Sequence, residues 1–293
     1  AGKGRRSMRI ALVCNPKTRG IKQAALAVRG ELERLGAEVL LSRDAGRFPP
    51  EDADQLIAAS DVVVALGGDG TIIHTAKRAA ACNRAVLGVN CGHLGFMAGL
   101  EADELEHLSA LIDGKYSVEE RMLLRVQVLR DGGEARAYLA LNEAVVSRGS
   151  FSRMIELEVY SGGEPVVRYC ADGVIIAAPT GSTAYSLSAG GPIIDPRVDC
   201  LLMTPVCPHS LYARSYIFSA GARLSVRPLL EERETYLTVD GEEGTALHPG
   251  EEVHISRADT VVRLIKIKSG DFYDILNQKL MDRRRPAGKG ETE

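Results

Sequence analysis

Val62-Val63-Val64-Ala65-Leu66-Gly67-Gly68-Asp69-Gly70-Thr71 is the stretch on which the architecture of this chain turns. Five apolar residues ended by glycines read as a strand buried on both faces, and a helical pattern over 71–82 follows at once. Three glycines in the turn let main-chain N–H groups approach phosphate oxygens without Cβ interference, and the start of the helix adds donors with partial positive charge. Asp69 is the odd member, because a carboxylate repels phosphate unless it holds a metal ion or takes a proton from an attacking hydroxyl. The combination points to phosphoryl transfer rather than phosphate storage. For residues 67–71 taken alone, an ordinary tight turn is the competing reading.

The same alternation recurs on both sides. Strands at 9–14, 38–41, 62–66 and 85–89 are interleaved with helical patterns at 21–35, 53–58, 71–82 and 103–112. This predicts a Rossmann-like parallel sheet with helices on its faces, in which ligands collect beyond the carboxyl ends of the strands. Three loops leave strands at that end: Asn15-Pro16-Lys17, residues 67–70, and Asn90-Cys91-Gly92-His93-Leu94-Gly95-Phe96.

After residue 116 the texture changes. Short runs at 123–130, 135–146, 154–160, 166–169, 174–178, 222–226, 235–239, 253–256 and 261–268 are separated by turns such as Asp131-Gly132-Gly133 and Asp240-Gly241-Glu242. Ile155, Leu157 and Val159 alternate with Glu156, Glu158 and Tyr160, the two-residue period of a half-buried strand. The expected division is an α/β domain over 1–115 and a β-sandwich-like domain over 116–267. A C-terminal helix then returns to the first domain, giving it 268–293 as well. Its basic tail at 283–290 reads as a solvated end.

Composition narrows the function classes. The 293 residues are 45% hydrophobic with 36 basic and 39 acidic side chains, so no overall basic field recruits nucleic acid or an anionic membrane. No apolar stretch approaches the roughly 20 residues that span a bilayer, and residues 1–9 are basic without a signal-peptide pattern, so a cytoplasmic protein is expected. Six scattered cysteines with no Cys-x-x-Cys pair suggest reduced thiols rather than a zinc site or disulfide framework.

A second motif opens with the apolar run 174–178 and continues as Pro179-Thr180-Gly181-Ser182-Thr183-Ala184-Tyr185-Ser186-Leu187-Ser188. Small side chains leave room for a ligand against the backbone, the tyrosine offers a flat face to a base, and the hydroxyls suit sugars and amides. A Ser/Thr-rich loop capping a helix is the alternative. Asn142-Glu143 interrupts the apolar run 138–146, which is costly to bury without a ligand or a network.

With these blocks in hand, the chain resembles the NAD kinases of bacterial type from its first strand to about residue 267. The resemblance rests on Gly67 to Thr71, Asn90-x-Gly92-x-Leu94-Gly95-Phe96, Asn142-Glu143, Asp172-Gly173 with 179–191, and Thr204-Pro205-Val206-Cys207-Pro208-His209-Ser210-Leu211, in the family's order. The glycine block is shared with lipid kinases and phosphofructokinases, whereas the block around Thr183 to Ser188 carries the NAD kinase assignment. The resemblance implies phosphorylation of the 2′-hydroxyl on the adenosine ribose of NAD by ATP, giving NADP. It implies a divalent metal, magnesium being the first choice, held by the ATP phosphates with or without Asp69, and a homodimer or homotetramer. Polyphosphate in place of ATP stays open.

It also assigns roles. Asp69 matches the essential aspartate that accepts or orients the attacking hydroxyl's proton, and Gly68, Gly70 and Thr71 match the phosphate cradle. Asn142 and Glu143 match the pair that holds the adenosine ribose and base. Asp172 matches a residue at the nicotinamide end, in some members across a subunit boundary. Thr183, Ala184, Tyr185, Ser186, Leu187 and Ser188 fall in the block around adenine and nicotinamide, Phe96 lies near the adenine, and His74 and Arg153 border the dinucleotide. Two departures stand out: Cys170 replaces a commonly basic residue, and Ala177-Ala178 replaces a Ser/Thr pair. The alternatives are a lipid- or sugar-kinase-like enzyme sharing the glycine turn and a pyridine-nucleotide sensor without catalysis. Retention of Asp69 counts against the sensor, which gains nothing from a carboxylate facing phosphate.

Overall fold

The computed structural model describes residues 7–42, 48–92, 95–130, 133–149, 153–210, 212–229, 234–242, 244–268 and 272–282. Of the motif positions named above, His93, Leu94, Asp131, Gly132, Leu211 and the 283–290 tail lie outside them. In chain order the first elements are β1 (Arg9–Cys14), α1 (Ile21–Arg34), β2 (Glu38–Leu41), α2 (Ala53–Ala59), β3 (Val62–Gly67) and α3 (Asp69–Ala81). Then come β4 (Ala85–Asn90), β5 (Leu100–Glu101), α4 (Leu108–Asp113), β6 (Ser117–Arg130), β7 (Gly133–Ala140) and β8 (Glu143–Arg148). Next are β9 (Ile155–Ser161), β10 (Glu164–Ala171), β11 (Gly173–Ala177), α5 (Tyr185–Ser188), β12 (Cys200–Val206) and β13 (Tyr216–Ser219). The chain finishes with β14 (Leu224–Pro228), β15 (Thr235–Val239), β16 (Thr245–Leu247), β17 (Glu252–Lys266) and α6 (Phe272–Asp282). Two compact units divide it, one formed by Ala1–Glu119 with Arg263–Glu293 and one by Glu120–Val262.

The first unit is built on parallel strands in the order β2-β1-β3-β4, and β4 also pairs in parallel with β5 and with Arg263 and Leu264 of β17. All six residues of β3 are buried, as an apolar run covered on both faces requires. Helix α1 buries Ile21, Val28 and Leu32, and α3 buries Ile72, Ile73, Ala76, Ala79 and Ala80. Register pairs Cys14 with Leu66 and Gly67 with Asn90, so the loops after β1, β3 and β4 leave the sheet side by side.

The second unit has a six-stranded antiparallel sheet in the order β13-β12-β11-β8-β15-β16. Its other layer pairs β10, β9, β14 and the start of β17, beside the β6–β7 hairpin. Alternate residues explain the layering. Val146, Val174, Ile176 and Leu201 meet Leu157, Val226 and Val253 in one core, while Val145, Ile175, Ala177 and Leu202 pack with Ile194 on the opposite face.

Several boundaries differ from the sequence pattern for identifiable reasons. Helix α3 begins at Asp69 rather than 71, because Gly68 caps it in an extended conformation. The run 135–146 breaks between Ala140 and Glu143, where the Asp240 carboxylate takes the N–H groups of Leu141, Asn142 and Glu143 at 2.9, 2.7 and 3.1 Å. The runs 253–256 and 261–268 are a single strand, β17. Strands β5, β12, β13 and β16 had no counterpart in the sequence reading.

Candidate active site

In the first unit the glycine turn is shaped from inside. Gly67 has φ 151°, and a Cβ there would sit 2.6 Å from Thr71 Oγ1, so the buried Thr71 side chain fills the space beneath the turn. Gly68 and Gly70 have nothing within 4 Å of a would-be Cβ and form the open side. The Thr71 N–H donates to the Gly68 carbonyl at 3.0 Å.

Asp69 is anchored by backbone. Its Oδ2 accepts the Phe96 N–H at 3.0 Å and its Oδ1 the Met97 N–H at 3.1 Å. Gly95 is required by this approach, since a Cβ there would lie 2.2 Å from Asp69 Oδ1. The pinned carboxylate stays about one third exposed, with Lys279 Nζ of α6 at 3.7 Å from Oδ2. The Phe96 ring lies 6.1 Å from that of Phe272 and 4.1 Å from Lys279 Nζ. His74 is half-buried on α3, five residues and roughly 140° around from Asp69. Its ring lies 5.2 Å from Phe48.

In the second unit Glu143 is the anomalous group. It is 6% exposed, and Oε2 has no hydrogen-bond partner among the described residues. Burial, and then the neighbouring Asp240 charge, push its carboxyl up to about 8. Asp240 holds the preceding backbone from a left-handed conformation, φ 50°. Gly181 lets the 180–183 turn come down on this point: a Cβ there would sit 2.2 Å from the Asn142 carbonyl oxygen. That same carbonyl accepts the Ala178 N–H at 2.8 Å. Asn142, Glu143 and the hydroxyl-rich segment are therefore neighbours.

Within that segment the side chains divide. Tyr185 is 45% exposed and Ser188 is exposed, while Thr183, Ala184 and Leu187 are half-buried. Thr183 Oγ1 donates to the Thr180 carbonyl at 3.3 Å. Ser186 turns inward, 2.8 Å from Thr204 Oγ1, so it braces the loop. Gly191 permits this, because a Cβ there would meet Ser186 Oγ at 2.3 Å.

Asp172, Cys170 and Arg153 gather elsewhere. Glu143 pairs with Ala177 at one end of the β8–β11 ladder, and Ser147 pairs with Gly173 at the other. Asp172, one residue beyond Gly173 and bonded to the Arg148 N–H, therefore lies five residues, roughly 16 Å, along the strands from Glu143 at about 3.3 Å per residue. Its Oδ1 accepts Arg148 Nε at 2.6 Å. Ala171 pairs with Ile155, which brings the exposed Cys170 and Arg153 to the same end. The sequence reading missed Asp240, Arg148 and Lys279. The Asp240-Gly241 turn was visible as a turn only, and a lysine in a C-terminal amphipathic helix carries no signal of its own.

Models of the ATP-NAD kinase N-terminal and C-terminal domains match residues 50–116 and 141–267. A curated NAD kinase from Symbiobacterium thermophilum is 46% identical over 85% of this chain and 90% of its own length. One from Moorella thermoacetica is 40% identical over 94% and 89%. Among solved structures, yeast NADH kinase complexed with NADH matches at TM-score 0.84 and 25% identity, covering 97% of this chain and 90% of that one. An Archaeoglobus fulgidus NAD kinase in complex with ATP matches at TM-score 0.74 and 26% identity, covering 94% and 99%.

Proposed function

The chain belongs to the NAD kinase family and is a phosphotransferase, and we propose that it moves the γ-phosphoryl group of ATP to the 2′-hydroxyl on the adenosine ribose of NAD. The observation that carries the mechanism is Asp69 at the head of α3, pinned through both oxygens yet partly exposed beside an open glycine turn. A carboxylate so fixed accepts or orients the proton of the 2′-hydroxyl as that oxygen attacks the γ-phosphorus. Gly68 and Gly70 leave the backbone open to phosphate oxygens.

Asn142 and Glu143 take the ribose and base, and Tyr185 with its small neighbours lines the adenine and nicotinamide groups. Glu143 supports that role because its buried orphan oxygen is left for an incoming hydroxyl or amine. Asp172, with Cys170 and Arg153 nearby, serves the nicotinamide end. A divalent ion, magnesium first, is held chiefly by the ATP phosphates. Asp69 is the one carboxylate at the turn that could join those phosphates as a ligand. Bound there, the ion neutralises charge on the transferring group.

No helix among the described residues is long and apolar enough to cross a membrane. A cytoplasmic homodimer or homotetramer is part of the proposal, and light scattering on the purified chain tests the assembly. The reaction is tested by incubation with NAD, ATP and magnesium, with diacylglycerol and fructose 6-phosphate as control acceptors and polyphosphate as an alternative donor. NADP from NAD alone is the expected product. Phosphorylation of a control acceptor instead would assign the glycine turn to another substrate.

A further inference from the structure

The C-terminal helix carries a cation where its pattern calls for an apolar residue. Phe272, Leu276 and Lys279 fall at i, i+4 and i+7 of α6, one stripe on the helix. Phe272 is half-buried with its ring 6.1 Å from Phe96, and Leu276 is 7% exposed, so the stripe faces inward. Lys279 continues it at 23% side-chain exposure. An ammonium is costly to bury unless something answers its charge. Two groups answer it: the face of Phe96, 4.1 Å from Nζ, and the Asp69 carboxylate, 3.7 Å away.

That position resolves a difficulty in the transfer site. Asp69 stands beside a glycine turn built for phosphate, and its negative charge opposes the ligand the turn invites. Its two oxygens already accept backbone N–H groups, so the ammonium at 3.7 Å adds charge rather than a third direct hydrogen bond. The lysine stem is long and flexible, and the head can turn from Asp69 to an oxygen placed against Gly68 and Gly70 without moving the helix.

We propose that Lys279 is a phosphate-binding residue of this reaction, pairing with Asp69 when no nucleotide is bound and turning to the terminal phosphate of ATP when the donor arrives. The inference rests on the ATP-dependent reading above and adds a residue to it. In the transfer step the phosphorus–oxygen bond to ADP breaks as the bond to the ribose oxygen forms. Lys279 donates hydrogen bonds to the transferring phosphoryl oxygens throughout and exchanges no proton.

Because ADP lacks the terminal phosphate, the ratio of ADP to ATP-analogue affinity isolates this contact from a structural role. Calorimetry with a non-hydrolysable ATP analogue and with ADP, both with magnesium, is run on the wild-type chain and on Lys279→Met, Lys279→Gln and Lys279→Arg. The methionine and glutamine variants are expected to weaken the analogue about tenfold and ADP less than twofold, the size of one lost charge-assisted contact. Their kcat/KM for ATP falls about 100-fold with KM for NAD within about twofold, and arginine restores most of the loss. Two changed side chains keep the ratio readable if one variant folds poorly. Equal weakening of analogue and ADP, or no change in either, overturns the inference while leaving the kinase reading intact. A wild-type chain that makes no NADP removes both.

Discussion

Asp69 in the first unit and Glu143 in the second are carboxylates prepared in opposite ways. Asp69 receives two backbone N–H bonds and a nearby ammonium, so its negative charge is answered before any substrate arrives. Glu143 is buried next to another carboxylate with an oxygen that no described group satisfies, and its carboxyl is pushed up to about 8. The first arrangement suits a group whose direction must be fixed during bond making. The second stores an unmet hydrogen-bonding demand that a bound nucleoside can meet.

Substitution at the pinned carboxylate should produce the largest effect. Asp69→Asn is expected to cut turnover by about 10³-fold or more while NAD affinity, measured by calorimetry, stays within about tenfold. Normal turnover would merge the two carboxylates into one binding role. Gly95→Ala sharpens the point without touching a functional group. Its new Cβ would sit 2.2 Å from Asp69 Oδ1, and the resulting displacement should cost about 100-fold in kcat. Wild-type kcat in that variant would show that the anchoring is incidental.

At Glu143 the expected signature is pH-dependent stability. Its folded pKa lies above the ordinary 4.5, so the unfolded chain releases the proton first as pH rises. Stability present at pH 4.5 and below is therefore lost between about 4.5 and 8, on the order of 4 kcal/mol if nothing else titrates. Glu143→Gln should flatten that part of the profile in thermal melts without nucleotide. Parallel profiles for the two chains would mean that Glu143 is already satisfied. The smallest effect is expected at Tyr185→Ala, where KM for NAD should rise about tenfold with kcat changed less than threefold, because ring contact is made equally in ground and transition states. An unchanged KM would take Tyr185 out of the nucleotide contact.

The contrast was only half legible in the sequence. The strand, glycine turn and helix around Asp69 are local, so consecutive residues reveal them, and Asn142-Glu143 announced itself as polar residues inside an apolar run. What tunes each group is remote. Asp240 breaks the strand before Glu143 from 99 positions beyond Leu141. Lys279 reaches Asp69 from the opposite end of the chain. The 253–268 stretch read as two strands because Arg257 and Asp259-Thr260 break the apolar pattern, yet the strand is continuous from Glu252 to Lys266. Ser186 read as one of a row of ligand-facing hydroxyls, and only the Thr204 contact shows it braced inward.

The decisive measurement is a crystal structure of the chain with NAD, read at the 2′ oxygen of the adenosine ribose. The account predicts that oxygen within roughly 3 Å of an Asp69 carboxylate oxygen, the reach a proton acceptor needs. A 2′ oxygen far from Asp69, with another side chain in that place, would contradict it.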